Sequence, residues 1–245
     1  MELSYQDRVM PLTRARTKAR QFCLLLLLSI SFTVSSQNLV PFEAKYKAFR
    51  FGRDLGFAHL VLEDLGREKF RLTYTSKVSL FFLSDERNEV SLFSYQDDQF
   101  IPYKYKYRRT GTGSDKKLDI EFNQADKAIH LGKDKLLPWQ GELDNQLYRL
   151  DLQHKLSLGE SQFSYKLINY RGQQRQYELV VVGKEQLVLP YGSLEGIKVK
   201  IVRTNSERET YAWFAPQLNY LLVRLQQFED GDEEGDIQLS EYSDK

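Results

Sequence analysis

Between Phe42 and Glu241 many short segments alternate apolar and polar residues with a period of two, separated by turn residues. Phe42, Ala44, Tyr46 and Ala48 fall on one side, with Glu43, Lys45 and Lys47 on the other. Successive strand side chains point to opposite faces, so this pattern marks a half-buried strand. It recurs in Phe70, Leu72 and Tyr74 against Arg71, Thr73 and Thr75, and in Leu118, Ile120 and Phe122 against Asp119 and Glu121. Phe100 to Arg109 is the most regular segment. Ile101, Tyr103, Tyr105 and Tyr107 share one face, and Lys104, Lys106 and Arg108 the other. Pro102 stands near its start, where a missing N–H is tolerated.

The same reading predicts strands over 42–51, 57–65, 70–83, 89–95, 100–109, 118–123 and 128–131, then 162–170, 174–182, 185–189, 197–204, 209–214, 220–228 and 236–241. Turns are expected at 52–56, around Asp85 to Asn88, at Gly183, and at Asp230-Gly231. Leu80-Phe81-Phe82-Leu83 departs from alternation and is expected to be buried on both sides or to mark a bulge. Between the two groups the period changes. Leu143, Leu147, Leu150 and Leu152 recur at helical spacing, with Asp144 or Asn145 as N-cap, which predicts one helix over about 144–156. The expected fold is mostly β: a curved antiparallel sheet or open half-barrel with one main covering helix.

The N-terminus is of another kind. Arg14, Arg16, Lys18 and Arg20 precede the apolar run Phe22 to Val34, and Ser35-Ser36-Gln37 follow. Basic, apolar and small-polar blocks in this order form a secretory signal. The run is shorter than the roughly 20 apolar residues that span a bilayer. Residues 1–36 are therefore read as a signal peptide cleaved after Ser36, with a retained anchor as the alternative and Met10 as a possible true start. Cys23, the single cysteine, lies at the front of the run rather than after it, which argues against a lipoprotein signal. Cleavage leaves 37–245 as one mostly-β domain without cysteine, hence without disulfide or thiolate chemistry.

The chain carries 35 basic and 34 acidic residues. Five basic and two acidic residues precede Gln37, which leaves the exported part at 30 against 32, a net −2. This balance and export both argue against nucleic acid as a partner.

No catalytic motif stands out. His59, His130 and His154 are far apart and share no metal-ligand spacing. Thr110-Gly111-Thr112-Gly113-Ser114 is a hairpin loop, not a phosphate loop. Asp230 to Glu241 resembles a twelve-residue calcium loop, but Glu234 stands at its fifth position and no exit helix can follow, so an acidic hairpin is the better reading. The Lys104, Lys106 and Arg108 face is read as solvated, with anionic lipid or lipopolysaccharide as the sharper alternative. Trp139 and Trp213 are read as packing residues rather than cavity walls. No catalytic, metal or cofactor residue is assigned, no cofactor is expected, and the chain is read as not an enzyme.

Three segments carry a resemblance: Phe42-x-x-x-Tyr46-x-x-Phe49-x-Phe51-Gly52, Asp144-Asn145-Gln146-Leu147-Tyr148-Arg149-Leu150, and Glu209-Thr210-Tyr211-Ala212-Trp213-Phe214-Ala215-Pro216 with Tyr220 to Leu225. Together they resemble the exported bacterial proteins of domain of unknown function 3108 (DUF3108) over nearly the whole mature chain. Leu222 departs from a proline common there. The resemblance implies a periplasmic protein of a Gram-negative bacterium, with no site residues to carry over. Its curved sheet is similar in kind to the LolA/LolB-type lipoprotein carriers, and such likeness does not by itself fix function.

The expected function is a non-enzymatic periplasmic binding or carrier module, with an apolar cavity for a lipid, acyl chain or lipoprotein. The alternative is an envelope-assembly module that binds another envelope protein and no small molecule. An enzyme acting on polysaccharide or peptidoglycan is the third possibility.

Overall fold

The alternating segments become a single ladder of strands. The computed structural model describes Met1 and residues 39–132, 135–203 and 206–245. The segment expected as a signal, with Cys23 and the cleavage point after Ser36, lies outside the described residues, Met1 apart. Asn38–Lys245 forms one compact unit. The first half is a meander of β1 (Phe42–Arg50), β2 (Arg53–Asp64), β3 (Lys69–Leu80), β4 (Leu83–Gln96), β5 (Gln99–Gly111), β6 (Lys116–Asn123), β7 (Ala128–Leu131) and β8 (Lys135–Pro138). Then come β9 (Leu143–Asp144) and the helix α1 (Leu147–Ser157). The second half holds β10 (Gln162–Ile168), β11 (Gln174–Leu189), β12 (Gly192–Val202), β13 (Arg208–Ala215), β14 (Leu221–Glu229) and β15 (Asp232–Asp244).

All fifteen strands belong to one sheet, in the order 8-7-6-5-4-3-2-1-15-14-13-12-11-10-9. Every pair is antiparallel except the short parallel contact of β9 with β10. The two meanders are joined where β1 pairs with β15, Phe42 opposite Asp244 and Phe49 opposite Asp236. The ends β8 and β9 are not paired with each other, so the sheet is open. It curls nonetheless. Ser91 Oγ in β4 donates to Asp144 Oδ1 at 2.8 Å. Tyr170, just past β10, packs on Tyr107 of β5 at 5.4 Å between ring centres. Ile168 joins the buried cluster of Tyr105, Ile120, Phe122 and Ile129. Gly172 makes this approach possible: its φ is 69°, and a Cβ there would lie 2.8 Å from Leu131 Cδ2.

The helix fills the concave side. The N-cap is Gln146, past the expected Asp144 or Asn145, and its own side chain makes no capping bond. Asp144, upstream in β9, instead accepts the backbone N–H groups of Gln146 (2.9 Å) and Leu147 (2.8 Å) on its Oδ1. His154 and Lys155 occupy its last turn, where cations suit the helix dipole. Leu147 and Leu150 pack into the larger core with Phe42, Tyr46, Leu72 and Phe93. Tyr148, Leu152 and Leu156 pack into a second core with Phe163, Tyr165 and Phe214. The helix is thus a plug between two apolar clusters rather than a cover over one face.

Several local expectations differ. Phe81-Phe82 is neither buried nor a bulge; it is the β3–β4 turn, with the two residues 85% and 97% exposed. Asp85 to Asn88 lies within β4, not in a turn, because ladder bonds to β3 and β5 hold this polar stretch extended without a buried face. Gly183 does not split β11: it absorbs a register shift opposite β12 at φ 152°, and the strand continues. In β5 a register shift opposite Leu92 and Phe93 leaves Tyr103 unpaired, so Phe100 and Pro102 point inward before the bulge and Tyr105 and Tyr107 after it. β2 starts at Arg53, so the expected five-residue turn shrinks to two.

Two predictions follow from this packing. Gly56 sits in β2 at φ 147°, where a Cβ would lie 2.0 Å from the Lys77 carbonyl oxygen. Gly56→Ala is expected to cost more than about 2 kcal/mol in urea unfolding, with an unchanged m-value. Burial lifts the Asp144 carboxyl from 3.8 to about 6, although the Leu147 and Gln146 N–H groups and Ser91 oppose the rise. The folded state then holds this proton more tightly than the unfolded state. Its contribution is largest below about pH 4 and is lost as pH rises through about 6, on the order of 3 kcal/mol. Asp144→Asn keeps an oxygen that can accept the Gln146 and Leu147 N–H groups and removes the titration. Its unfolding free energy should therefore fall less than that of the parent between those pH values, and equal slopes would refute the assignment.

Candidate functional site

Antiparallel connectivity places the turns at 51–52, 81–82 and 230–231 at one end of the sheet, together with the connections leaving β5, β10 and β12. β9 runs parallel to β10 toward this end, so α1 starts here. Between its first turn and the concave sheet lies a cavity of about 800 Å³, a volume suited to a small ligand.

Leu60, Leu72, Leu150, Leu222 and Ile237 form an apolar floor. Above it the lining changes character. Six arginines (87, 149, 171, 175, 203 and 208) face only three glutamates (89, 229 and 234), a net charge of +3. Tyr46, Tyr74, Tyr148, Tyr170 and Tyr177 stand among them. The cavity expected to be apolar is therefore amphipathic and cationic.

Two of these arginines are ion-paired: Arg87 with Asp85 at 2.6 Å, a carboxylate it shares with Arg109, and Arg208 with Glu229 at 2.5 Å. Arg149, Arg171, Arg175 and Arg203 make no ion pair among the described residues. Arg203 donates to the Arg208 carbonyl (3.3 Å) and to Thr210 Oγ1 (3.0 Å). Its pKa is lowered by burial and by the neighbouring Arg208 charge. Arg175 donates to Gln173 Oε1 at 2.7 Å, and Arg171 lies over the Tyr170 ring.

Arg149 is the innermost cation. Its Nε lies 3.4 Å from the Tyr148 hydroxyl and its guanidinium 3.4 Å from Gln146 Oε1. Burial works against its charge, but Tyr148, Glu89 and Tyr74 outweigh that and hold its pKa above the ordinary value. Glu89, 4% exposed, is the deep carboxylate of the wall. Its Oε2 accepts from the Tyr105 hydroxyl and, at 2.9 Å, from Asn145 Nδ2. Burial first, and Glu89 next, push the Tyr105 hydroxyl well above its usual range, so it stays a neutral donor. Gln146 is 2% exposed, yet its Nε2 has no hydrogen-bond partner.

Most features singled out in the sequence lie elsewhere, although Glu234 and Ile237 of the acidic segment line the cavity. Lys104 pairs with Glu121 at 2.6 Å and Arg108 with Asp119 at 2.9 Å, so that face is largely self-neutralised. Trp213 is buried, donates to Glu185 at 2.8 Å and carries Arg224 over its ring. Trp139 packs on Phe122 and donates to the Glu142 carbonyl. His59 bonds Glu43 at 2.8 Å, His154 packs against Tyr95 and Phe100, and His130 lies in β7. Asp230 to Glu241 is the β14–β15 hairpin, whose Glu234 and Asp236 pair with Arg50 and Arg224. Among the described residues no group of three or more His, Cys, Asp or Glu could hold a metal ion. Sequence reading missed the arginines. One signal was available: Arg149 stands in the first turn of the helix, where acidic residues are favoured and none occurs.

The fold has relatives among solved structures. A β-barrel-like protein of domain of unknown function DUF1849 from Brucella abortus superposes with a TM-score of 0.62 at 10% identity, over 85% of this chain and 99% of that one. A candidate exported protein with a YmcC-like fold from Bacteroides fragilis covers 84% of this chain and 97% of its own at 11% identity, with a TM-score of 0.33. At these identities the first likeness bears on fold alone, and the second is too distant to carry an argument. No curated protein matches the chain. The model of the family described as "Protein of unknown function (DUF3108)" matches residues 41–238, and the chain belongs to that family.

Proposed function

We propose that the protein is a non-enzymatic binding or carrier module of the periplasm, and that its cavity holds an amphiphile such as a lipid or the acylated end of a lipoprotein. The observation that carries this reading is the cavity itself, with an apolar floor and a polar, open end. An acyl chain gains from the leucine and isoleucine floor at roughly 25 cal/mol per Å² of buried apolar area. The polar end meets a headgroup. The end of the sheet at which the cavity opens also carries Phe51, Phe81 and Phe82, which are 62%, 85% and 97% exposed. Phe51 and Phe81 hold positive φ angles of 48° and 54°. A bulky residue is disfavoured there, and glycine or asparagine is the usual choice. Aromatic tips at a cavity mouth suit a protein that collects its cargo from a bilayer surface.

The same tips also favour the second reading, an envelope-assembly module that grips another protein. The two differ in what travels with the protein. Native mass spectrometry after gentle extraction from the envelope is expected to reveal an amphiphile that is released on denaturation. Phe81→Ser with Phe82→Ser should keep the fold and slow uptake of lipid from vesicles about fivefold or more, since two exposed aromatic contacts are lost. A bare chain mass after extraction, together with a cross-linked envelope protein that depends on Phe81 and Phe82, would replace the carrier reading with the second.

A further inference from the structure

We infer that Arg149 and Gln146, backed by Arg203 and the mouth arginines 171 and 175, form a site for the oxyanion of the ligand, a phosphate or carboxylate group. This deepens the carrier reading and rests on it for the apolar part of the ligand.

Four independent features converge. Arg149 lines the cavity with no carboxylate in ion-pair reach among the described residues, and its two hydrogen bonds are both long, at 3.4 Å. A guanidinium offers five donors in a planar fork that matches carboxylate and phosphate. Beside it, the buried Gln146 Nε2 is a donor with nothing to donate to. Leaving such a group unpaired is costly, and an acceptor in the cavity recovers that cost. Both residues stand at the start of α1, where the helix dipole is positive and no acidic side chain offsets it. A cation at that end is unfavourable for the helix alone and favourable once an anion is seated. Finally, Arg203 and the exposed Arg171 and Arg175 continue the positive lining to the mouth.

The internal counter-charge does not satisfy this set. Glu89 is the nearest deep carboxylate in the wall, but its Oε2 is already shared by Tyr105 and Asn145. Glu229 and Glu234 are engaged by Arg208 and Arg50. Glu89 acts on Arg149 only through space, and no carboxylate bonds the Arg149 guanidinium among the described residues.

The test compares dodecyl phosphate, laurate and the neutral dodecyl maltoside below their micellar concentrations, with inorganic phosphate alone as a fourth probe. The intact protein is titrated in a calorimeter at low and moderate salt. The two anionic amphiphiles are expected to bind about tenfold or more tighter than the neutral one, as charge-assisted hydrogen bonds provide. The advantage should shrink as salt rises. Arg149→Gln should remove it and leave binding of the maltoside unchanged, while Arg149→Lys should restore part of it. Arg171→Gln with Arg175→Gln, at exposed positions, gives a smaller loss and guards against misfolding of the helix variant, which is checked by its melting temperature. Equal binding of all three amphiphiles, unaffected in Arg149→Gln, would overturn the anion site and leave the carrier reading standing. Inorganic phosphate binding as tightly as dodecyl phosphate would keep the anion site and overturn the carrier reading. No binding of any probe would overturn both.

Discussion

Asp144 is the point on which the architecture turns. One of its oxygens accepts two backbone N–H groups at the start of α1 and the Ser91 hydroxyl from β4. The residue therefore starts the helix and fastens it to the middle of the first meander. A sheet of this length could twist away as an open ribbon. Here it has to wrap around a helix whose two sides bury leucines and tyrosines in separate cores. The helix direction that follows from Asp144 also decides which end of the molecule receives the positive end of the dipole, and hence where the charged cavity forms.

Charge is distributed against the average. The chain as a whole is close to neutral, and the surface face of Lys104 and Arg108 is paired off across neighbouring strands. The imbalance is gathered around the cavity, from the half-buried Arg149 and Arg203 to the exposed Arg171 and Arg175 at its mouth, and screening by water is weakest for the inner pair. Composition alone had no means of revealing this, because the net charge sums over surface pairs that cancel and an interior that does not.

The strand register was legible wherever one face is buried, as at Phe42 to Ala48, because polar and apolar contacts then differ at every second residue. It failed at places where that contrast vanishes. Asp85 to Asn88 has no apolar face to alternate, Gly183 looks like a stop but absorbs a bulge, and Phe81-Phe82 reads as core because hydrophobicity says nothing of exposure at a tip. Asp144 was visible as a helix-start residue because its bonds to nearby backbone N–H groups are local chemistry, although the N-cap itself is Gln146. The cavity was not: Arg87, Arg149, Arg175 and Arg208 come from four elements, and only the curling of the sheet brings them together. Its sole local trace was Arg149, a residue that breaks the helix-end rule.

The sheet order carries a consequence for how the molecule is assembled. Each neighbouring pair is close in sequence except β1 with β15, which join residues about two hundred positions apart, and the Lys245 N–H bonds the Pro41 carbonyl at 3.0 Å. Each meander can zip up from local hairpins, but the seam between them waits for β15. Until it arrives, β1 and β14 each present an unpaired edge. The seam that joins the most distant residues therefore lies at the centre of the finished sheet, so the pairing with the largest loop-closure cost is flanked by a meander on either side.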